Sequence, residues 1–301
     1  MRVACIALLA VGLLAGCEQD RDAAKSTTWV AEESQAPAAA AAETANDASA
    51  EAAALASKGF VWHELLSPAP EAAADFYTFV FDWSRDDTPA ESSAPYIRLR
   101  AADTTFAGVI SMAVYDFSGP ARWTGWIAVE TPADALDGAE RDGGLILKRD
   151  VEHPRGRLAF VQDPAGAELG LIDLRPELGA VPGPIVAHEL LLDRPAEDAQ
   201  FYQRWLKWPA PQTRPSGALE FSTPAGPLRF APPASWDLPS VAPSWVPVFA
   251  VDDFEAVRDR AVEAGAVLVR ELKSAEDGAR SARLRDPQGA PFMIRQRAGT
   301  L

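Results

Sequence analysis

The stretch Phe60 to Trp83, FVWHELLSPAPEAAADFYTFVFDW, returns between Ala187 and Trp208 as AHELLLDRPAEDAQFYQRWLKW. His63 recurs as His188, Glu64 as Glu189, Phe76-Tyr77 as Phe201-Tyr202 and Trp83 as Trp208, all at an offset of 125. Downstream, Trp123 recurs as Trp245, Val129 as Val251, Arg157 as Arg280, and Asp163-Pro164 with Gly166 as Asp286-Pro287 with Gly289, a slip of only two or three residues. Chance matches do not keep their spacing over some hundred residues, so the chain holds two copies of one domain. Whatever this sequence folds into must be buildable twice.

Within each copy the pattern reads strand, helix, strands, and then the same again. Phe60 to Leu66 is an apolar and aromatic run closed by Ser67-Pro68, which predicts a strand entering a turn. Ala73, Phe76, Tyr77 and Val80 fall at helical spacing, and Pro70 suits a first turn, so a helix is predicted over Pro70 to Phe81. Strands follow at Tyr96 to Arg100 and Phe106 to Val114, and Trp123 to Val129 opens the second half. The helix predicted over Ala133 to Asp142 ends at Gly143-Gly144, where a left-handed residue carries no Cβ penalty. Strands at Leu145 to Lys148 and Arg157 to Gln162 lead through Asp163-Pro164-Ala165-Gly166 into Glu168 to Leu174. In the second copy, helices are predicted over Ala196 to Trp205 and Phe254 to Gly265, and a hairpin joins Ala282 to Arg285 with Pro291 to Arg295.

These motifs in this order, WHELLSPAPEAAADFYTFVFDW, then W-x5-V, then G-R-x5-D-P-x-G, resemble the glyoxalase and bleomycin-resistance superfamily, the vicinal oxygen chelate (VOC) proteins, in its tandem glyoxalase-like branch. The resemblance implies an α+β fold of two glyoxalase-like domains, each of two βαβββ modules whose sheets form a curled cup around a ligand or metal. Domain one would span 59–175 and domain two 184–297, joined by a linker over 176–183.

Enzymes of that superfamily hold a divalent metal with His, Glu or Gln on the first strand, matching strands of the second module and a closing Glu. Carried onto this chain, the first-strand position falls on Trp62 and Ala187, and the second-module position on Thr124 and Val246 or, slipped by two, on Trp126 and Val248. The closing position falls on Gly170 and Met293. A cation needs several oxygen or imidazole donors converging on one point, and these residues do not supply them, so no metal and no cofactor are expected. His63 and His188 stand one residue off, and strand alternation sends them to the opposite face. A one-residue slip would return them to the cup, still without a closing carboxylate.

By the same alternation Glu64 and Glu189 share the inner face with Trp62 and Ala187. Trp62, Glu64, Trp126 and Glu189 are therefore the candidate ligand contacts, with the glutamates as polar contacts or a general base. The competing reading pairs each glutamate with strand neighbours, Arg98 or Arg100 in one copy and Arg283 or Arg285 in the other. His153, in a Glu-His-Pro-Arg-Gly turn, reads as an exposed loop histidine. Arg157 and Arg280 read as partners of the aspartate six residues on, while Phe76, Phe201, Trp83 and Trp208 read as core. Trp236, Trp245 and Phe249 are aromatics in a proline-rich region, for which core outweighs a pocket lining.

Composition removes other classes. Cys5 and Cys17 are the two cysteines, and His63, His153 and His188 the three histidines, which leaves the domains without disulfide, thiol nucleophile or cysteine metal site. A formal charge of -15 without a basic cluster argues against nucleic acid. Arg2 followed by the apolar run Val3 to Leu14 reads as a signal segment, too short to span a bilayer. Leu14-Ala15-Gly16-Cys17 resembles the lipobox of bacterial lipoproteins, which implies a signal peptide over 1–16, a lipid-bearing Cys17 and an Ala-rich tether over 17–58. Glu18 in place of the Asp that marks inner-membrane retention points to the periplasmic face of the outer membrane.

Three functions fit these features. The leading expectation is a membrane-anchored, metal-free protein of the cell envelope that binds a small, partly apolar molecule. Its rivals are a metal-dependent VOC enzyme (lyase, isomerase or dioxygenase) and an envelope scaffold that binds another protein.

Overall fold

The alternation of the strands and the apolar stripes of the helices generate two curled sheets. The computed structural model describes residues 59–86, 95–153, 155–173, 183–223, 225–232, 243–274 and 277–297. The signal segment, Cys17, the tether and Trp236 lie outside these residues, as does nearly all of the 176–183 linker. Among the described residues no helix is long and apolar enough to cross a membrane.

The first sheet carries β1 (Trp62–Ser67), β2 (Ser84–Asp86), β3 (Tyr96–Ala101), β4 (Thr104–Ser111), β5 (Arg122–Val129), β6 (Leu145–His153), β7 (Gly156–Gln162) and β8 (Glu168–Asp173). Helix α1 (Pro70–Phe81) follows β1 and α2 (Pro132–Arg141) follows β5. The second sheet repeats this with β9 (Ile185–Leu191), β10 (Gln212–Thr213), β11 (Leu219–Phe221), β12 (Leu228–Ala231), β13 (Val246–Val251), β14 (Val267–Lys273), β15 (Arg280–Arg285) and β16 (Pro291–Gln296). Its helices are α3 (Pro195–Leu206) and α4 (Phe254–Glu263). The strand order is β2-β3-β4-β1-β5-β8-β7-β6 in one sheet and β10-β11-β12-β9-β13-β16-β15-β14 in the other. Each sheet is thus two βαβββ modules joined through one antiparallel pair, β1 with β5 and β9 with β13. This is the α+β tandem cup architecture expected from the repeat. One departure is that the β4 segment turns at Met112–Tyr115 into a 3-10 helix, which carries Tyr115 into the first cup.

The helices start as their sequences dictate. Pro occupies the first turn of α1, α2 and α3, where its missing N–H leaves nothing unpaired, and the Asp253 carboxylate caps α4 by accepting from the Ala256 N–H. Helices α1 and α3 both stop at a left-handed non-glycine residue, Asp82 at φ 55° and Lys207 at φ 56°. That reversal folds Trp83 back over Tyr77, and Trp208 over Tyr202, with their rings stacked.

The two domains bury their helix-bearing faces against each other. Helix α1 packs on α4 and α2 on α3, so each core is shared between domains. One cluster joins Phe76, Tyr77 and Trp83 to Phe249, Phe254 and Phe292; the other joins Ile127, Leu136 and Val161 to Phe201, Tyr202 and Trp245. The core assignment of Phe76, Trp83, Phe201, Trp208, Trp245 and Phe249 agrees with this packing.

A reciprocal hydrogen-bond chain ties the halves. The Trp123 indole donates to the Tyr77 hydroxyl (2.9 Å), which donates to Asp286 in the other domain (3.2 Å). The Trp245 indole donates to the Tyr202 hydroxyl (3.3 Å), which donates to Asp163 (2.8 Å). Each aspartate also closes its own turn, Asp163 accepting from the Ala165 and Ala167 N–H groups and Asp286 from those of Gln288 and Ala290. The pairing of these aspartates with Arg157 and Arg280 is therefore corrected. Arg157 bonds Asp150, and Arg280 bonds Glu255 and Glu271. Both arginines sit at strand starts and pair there with exposed carboxylates, while the tyrosines reach the aspartates from the facing domain.

Candidate functional site

Strand alternation sorts each first strand into two faces. On β1, His63 and Leu65 point to the domain interface while Trp62, Glu64 and Leu66 point into the cup; on β9, His188 and Leu190 point to the interface while Ala187, Glu189 and Leu191 point into the cup. The two histidines meet behind the cups. Their rings stack at 4.9 Å and 11°, with Phe60 edge-on to His188 at 4.6 Å. Burial lowers His63 to about 3, and burial together with His63 lowers His188 as well. Neutral imidazoles can lie face to face in this dry interface; charged ones would repel.

The first cup is packed with its own side chains. Trp62, Trp126, Tyr115, Leu158, Phe160 and Ile172 are buried there in one cluster. The Trp126 ring lies over Gly170, where an added Cβ would meet it at 2.0 Å, and the Tyr96 ring covers Gly108 in the same way. The positions where superfamily enzymes place metal donors thus hold an indole and the glycine that makes room for it.

Glu64 is fully buried in this packing, and it is not paired with an arginine. It accepts from the Tyr115 hydroxyl (3.1 Å) and from His153 Nε2 (2.9 Å). The Arg155 N–H donates to His153 Nδ1 (3.1 Å), so Nε2 carries the proton that faces the carboxylate. Burial first, and then the Glu64 carboxylate, push the Tyr96 and Tyr115 hydroxyls well above the usual phenol range, which keeps them donors. Tyr96 in turn accepts from the Trp62 indole (2.9 Å). Arg155 closes the cup, its guanidinium 3.6 Å from the Trp62 ring centroid. His153 is therefore not an exposed loop residue: its side chain is 1% exposed. Strand β6 runs on to His153, past the predicted end at Lys148, and this extension carries the His153 side chain back over the cup. Of the candidate contacts, Trp62, Glu64 and Trp126 all belong to this closed interior.

Among the described residues the second cup is open. A cavity of about 400 Å³ continues into one of about 230 Å³, and Glu189, Ser216, Arg229 and Leu272 line both. Val248 and Met293 form its apolar floor and pack on Ala187 and Val246 in one buried cluster. Glu189, the remaining candidate contact, lies in the wall with its carboxylate 3.0 Å from Arg283 Nη2. That pairing matches the strand-neighbour reading for this copy, because β15 brings Arg283 to the cup face opposite Met293. Arg229, opposite Glu189 on β12, donates to Glu220 (2.7 Å), and Arg295 donates to Asp277 (2.6 Å). These wall arginines were not singled out from the sequence, apart from Arg283. The available signal was the pairing of copies, which sets Arg229, Arg283 and Arg295 against Gly108, Phe160 and Ile172.

Neither donor set fits a divalent metal. In the second cup the inherited positions are Ala187, Val246 or Val248, and Met293; in the first, Glu64 and His153 are spent on each other. Among the described residues no three His, Cys, Asp or Glu side chains come together as a metal site would need.

Comparison with known proteins places this geometry. Residues 189–295 match the model of the glyoxalase-like domain family. The chain is 27% identical over 241 residues to CFP32 of Mycobacterium tuberculosis, whose name assigns it provisionally to the glyoxylases; the match covers 77% of this chain and 92% of CFP32. It is 29% identical over 252 residues to the anthracycline biosynthesis protein DnrV of Streptomyces peucetius, covering 77% of this chain and 91% of DnrV. Among solved structures, the Mn(II)-bound glyoxalase from Novosphingobium aromaticivorans superposes with a TM-score of 0.55 at 11% identity, over 81% of this chain and 83% of that one. A variant of homoprotocatechuate 2,3-dioxygenase from B. fuscum gives 0.53 at 11% identity, over 80% and 71%. At such identities the structures share a fold, and their metals and substrates do not transfer with it.

Proposed function

We propose that this protein is a small-molecule-binding protein built on a tandem glyoxalase-like fold, in which the second cup takes the ligand without a metal and the first serves as structural core. One observation carries the reading. The same fold position is a cavity of about 400 Å³ in one copy and is packed with Trp62, Trp126, Phe160 and Tyr115 in the other. A cavity of that size with an apolar floor and a few polar wall groups has the character of a small-molecule site. The lipobox resemblance adds the location: Cys17 would hold the protein on the cell envelope, with the Ala-rich segment to 58 setting its reach.

The test is calorimetry and native mass spectrometry of the purified protein against a panel of metabolites and antibiotics. DnrV makes an anthracycline a reasonable member of that panel. Binding should be seen in the wild type and lost in Ala187→Trp and Val248→Trp, which copy the first cup's indoles into the second. No binder in the wild type, or binding indifferent to both substitutions, would sink the reading. Elemental analysis addresses the enzyme alternative directly, since near-stoichiometric manganese, iron or zinc would restore it. Labelling with a radioactive fatty acid in wild type and Cys17→Ala tests the anchor.

A further inference from the structure

The wall of the second cup is far more basic than the molecule that carries it. Arg214, Arg229, Arg270, Lys273, Arg283 and Arg295 line the cavity, whereas among the described residues Glu189 is the carboxylate in its lining. Glu220 and Asp277 stand close behind, but Glu220 is shared between Arg229 at 2.7 Å and Arg214 at 3.8 Å, and Asp277 serves Arg295 at 2.6 Å. Six cations therefore share one cleft, with Glu189, Glu220 and Asp277 beside them. The whole chain has a formal charge of -15. Concentrating cations in one cleft of an acidic protein costs stability through their mutual repulsion, and a concave wall of low dielectric focuses their field inward.

The position of these charges is not inherited from the fold. In strand register, Arg229 stands where the first copy has Gly108, Arg283 where it has Phe160, and Arg295 where it has Ile172. The first copy shows that apolar residues satisfy this sheet, so its architecture does not require the arginines. Each guanidinium offers five N–H donors in a planar fork, which matches an oxyanion in two-point geometry. The cavity's apolar floor is Val248 and Met293, backed by Ala187 and Val246.

We propose that the second cup binds a small organic oxyanion, a carboxylate or phosphate ester, with its charged group held among Arg229, Arg283 and Arg295 and its apolar body on the Val248–Met293 floor. This rests on the reading of the second cup as a small-molecule site and names the class of ligand. Glu189 then acts as a selectivity element. Its carboxylate holds Arg283 in the wall and repels anions that reach too deep, so removing its charge should tighten oxyanion binding.

The probe is 8-anilinonaphthalene-1-sulfonate, an apolar molecule with one anionic group, compared by fluorescence titration with uncharged N-phenyl-1-naphthylamine on the full chain. The sulfonate is expected to bind at least about tenfold more tightly than the neutral amine, and to weaken as salt rises from 50 to 500 mM. Arg295→Met, whose partner Asp277 is half-exposed, should cost the sulfonate about tenfold and leave the amine unchanged. Arg283→Met strands Glu189, so it is made together with Glu189→Gln, and the double variant should bind the sulfonate more weakly than Glu189→Gln alone. Glu189→Gln alone should tighten the sulfonate. Benzoate and phenyl phosphate should displace it where benzamide does not, and their relative potency separates a carboxylate ligand from a phosphate one.

Circular dichroism and the unfolding midpoint keep a misfolded variant from counting. Should both probes bind equally, with neither salt nor the arginine substitutions mattering, the oxyanion proposal is overturned while the small-molecule cup stands. Should Val248→Trp leave both probes bound, the cup itself is not the site and the broader reading falls.

Discussion

The two cups of this chain share a strand order and a register and differ in what fills them. Where β1 and β5 present Trp62 and Trp126 to the first cup, β9 and β13 present Ala187 and Val248 to the second. Where β7 and β8 add Phe160 and Ile172, β15 and β16 add Arg283 and Arg295. Each buried indole or phenyl ring removes on the order of 200 Å² from water, worth about 5 kcal/mol before entropy is counted. The first cup therefore gains cohesion from being filled. The second forgoes that gain and adds charge repulsion, an arrangement that makes sense where a ligand completes the site. One architecture has thus been put to two uses by exchanging residues at equivalent positions, with the backbone pairing left intact.

The largest effect that tests this contrast is on stability. Trp126→Ala should cost roughly 3–5 kcal/mol in urea unfolding, because it opens a cavity over Gly170 in a packed core. Val248→Trp, placed at the equivalent position, should cost less stability than Trp126→Ala while abolishing ligand binding, since Val248 borders the cavity. If Trp126→Ala were as mild, the first cup would be a ligand site after all and the contrast would collapse.

The next effect comes from the histidine pair where the backs of the two cups meet. The fold holds His63 at about 3 and His188 likewise below its ordinary 6.5. From pH 6.5 downward the unfolded chain takes up protons that the folded one refuses. The stability these neutral rings permit is complete above pH 6.5 and falls as pH drops toward 3, by up to about 1.4 kcal/mol per pH unit for each histidine. Unfolding free energies measured at pH 6.5 and pH 5 should show the decline, and His188→Phe should halve it. An unchanged slope in that variant would place the titrating groups elsewhere.

Smaller and more symmetric changes are expected at the tyrosines that join the halves. Tyr77→Phe and Tyr202→Phe should each cost about 1–3 kcal/mol, since each leaves an aspartate short of a donor and an indole N–H without its acceptor. Comparable losses would show that the two halves of the interface are equivalent even though the two cups are not. At the low end, Arg157→Ala removes an exposed ion pair with Asp150 and should leave the unfolding midpoint where it is.

Much of this was legible in the amino-acid order. The helix predicted over Pro70 to Phe81 is α1 to the residue, because Ala73, Phe76, Tyr77 and Val80 repeat at helical spacing and Pro70 marks the start. The turn at Asp163-Pro164-Ala165-Gly166 forms as read, with Gly166 at φ 103° where a side chain would be strained. Period-two alternation also placed His63 and His188 behind the cups. The destination of His153 was not legible: a histidine beside a Pro in a charged turn looks exposed until the β6–β7 hairpin is seen to fold over the cup. Nor did the Asp-Pro turns reveal their tyrosine partners, which come from the other copy.

Amino-acid order alone specifies the duplicated unit, because the two copies hold a fixed offset, and it specifies the helices and the faces of the longer strands, because these follow from spacings of two to four residues. Three-dimensional packing settles which cup is closed and which is open. His153 meets Glu64 across 89 positions and Tyr77 meets Asp286 across 209, separations at which the sequence carries no local signal. Only when chain reversal brings such residues together does a buried acid find its donors, and only then does a row of arginines become the wall of a cavity.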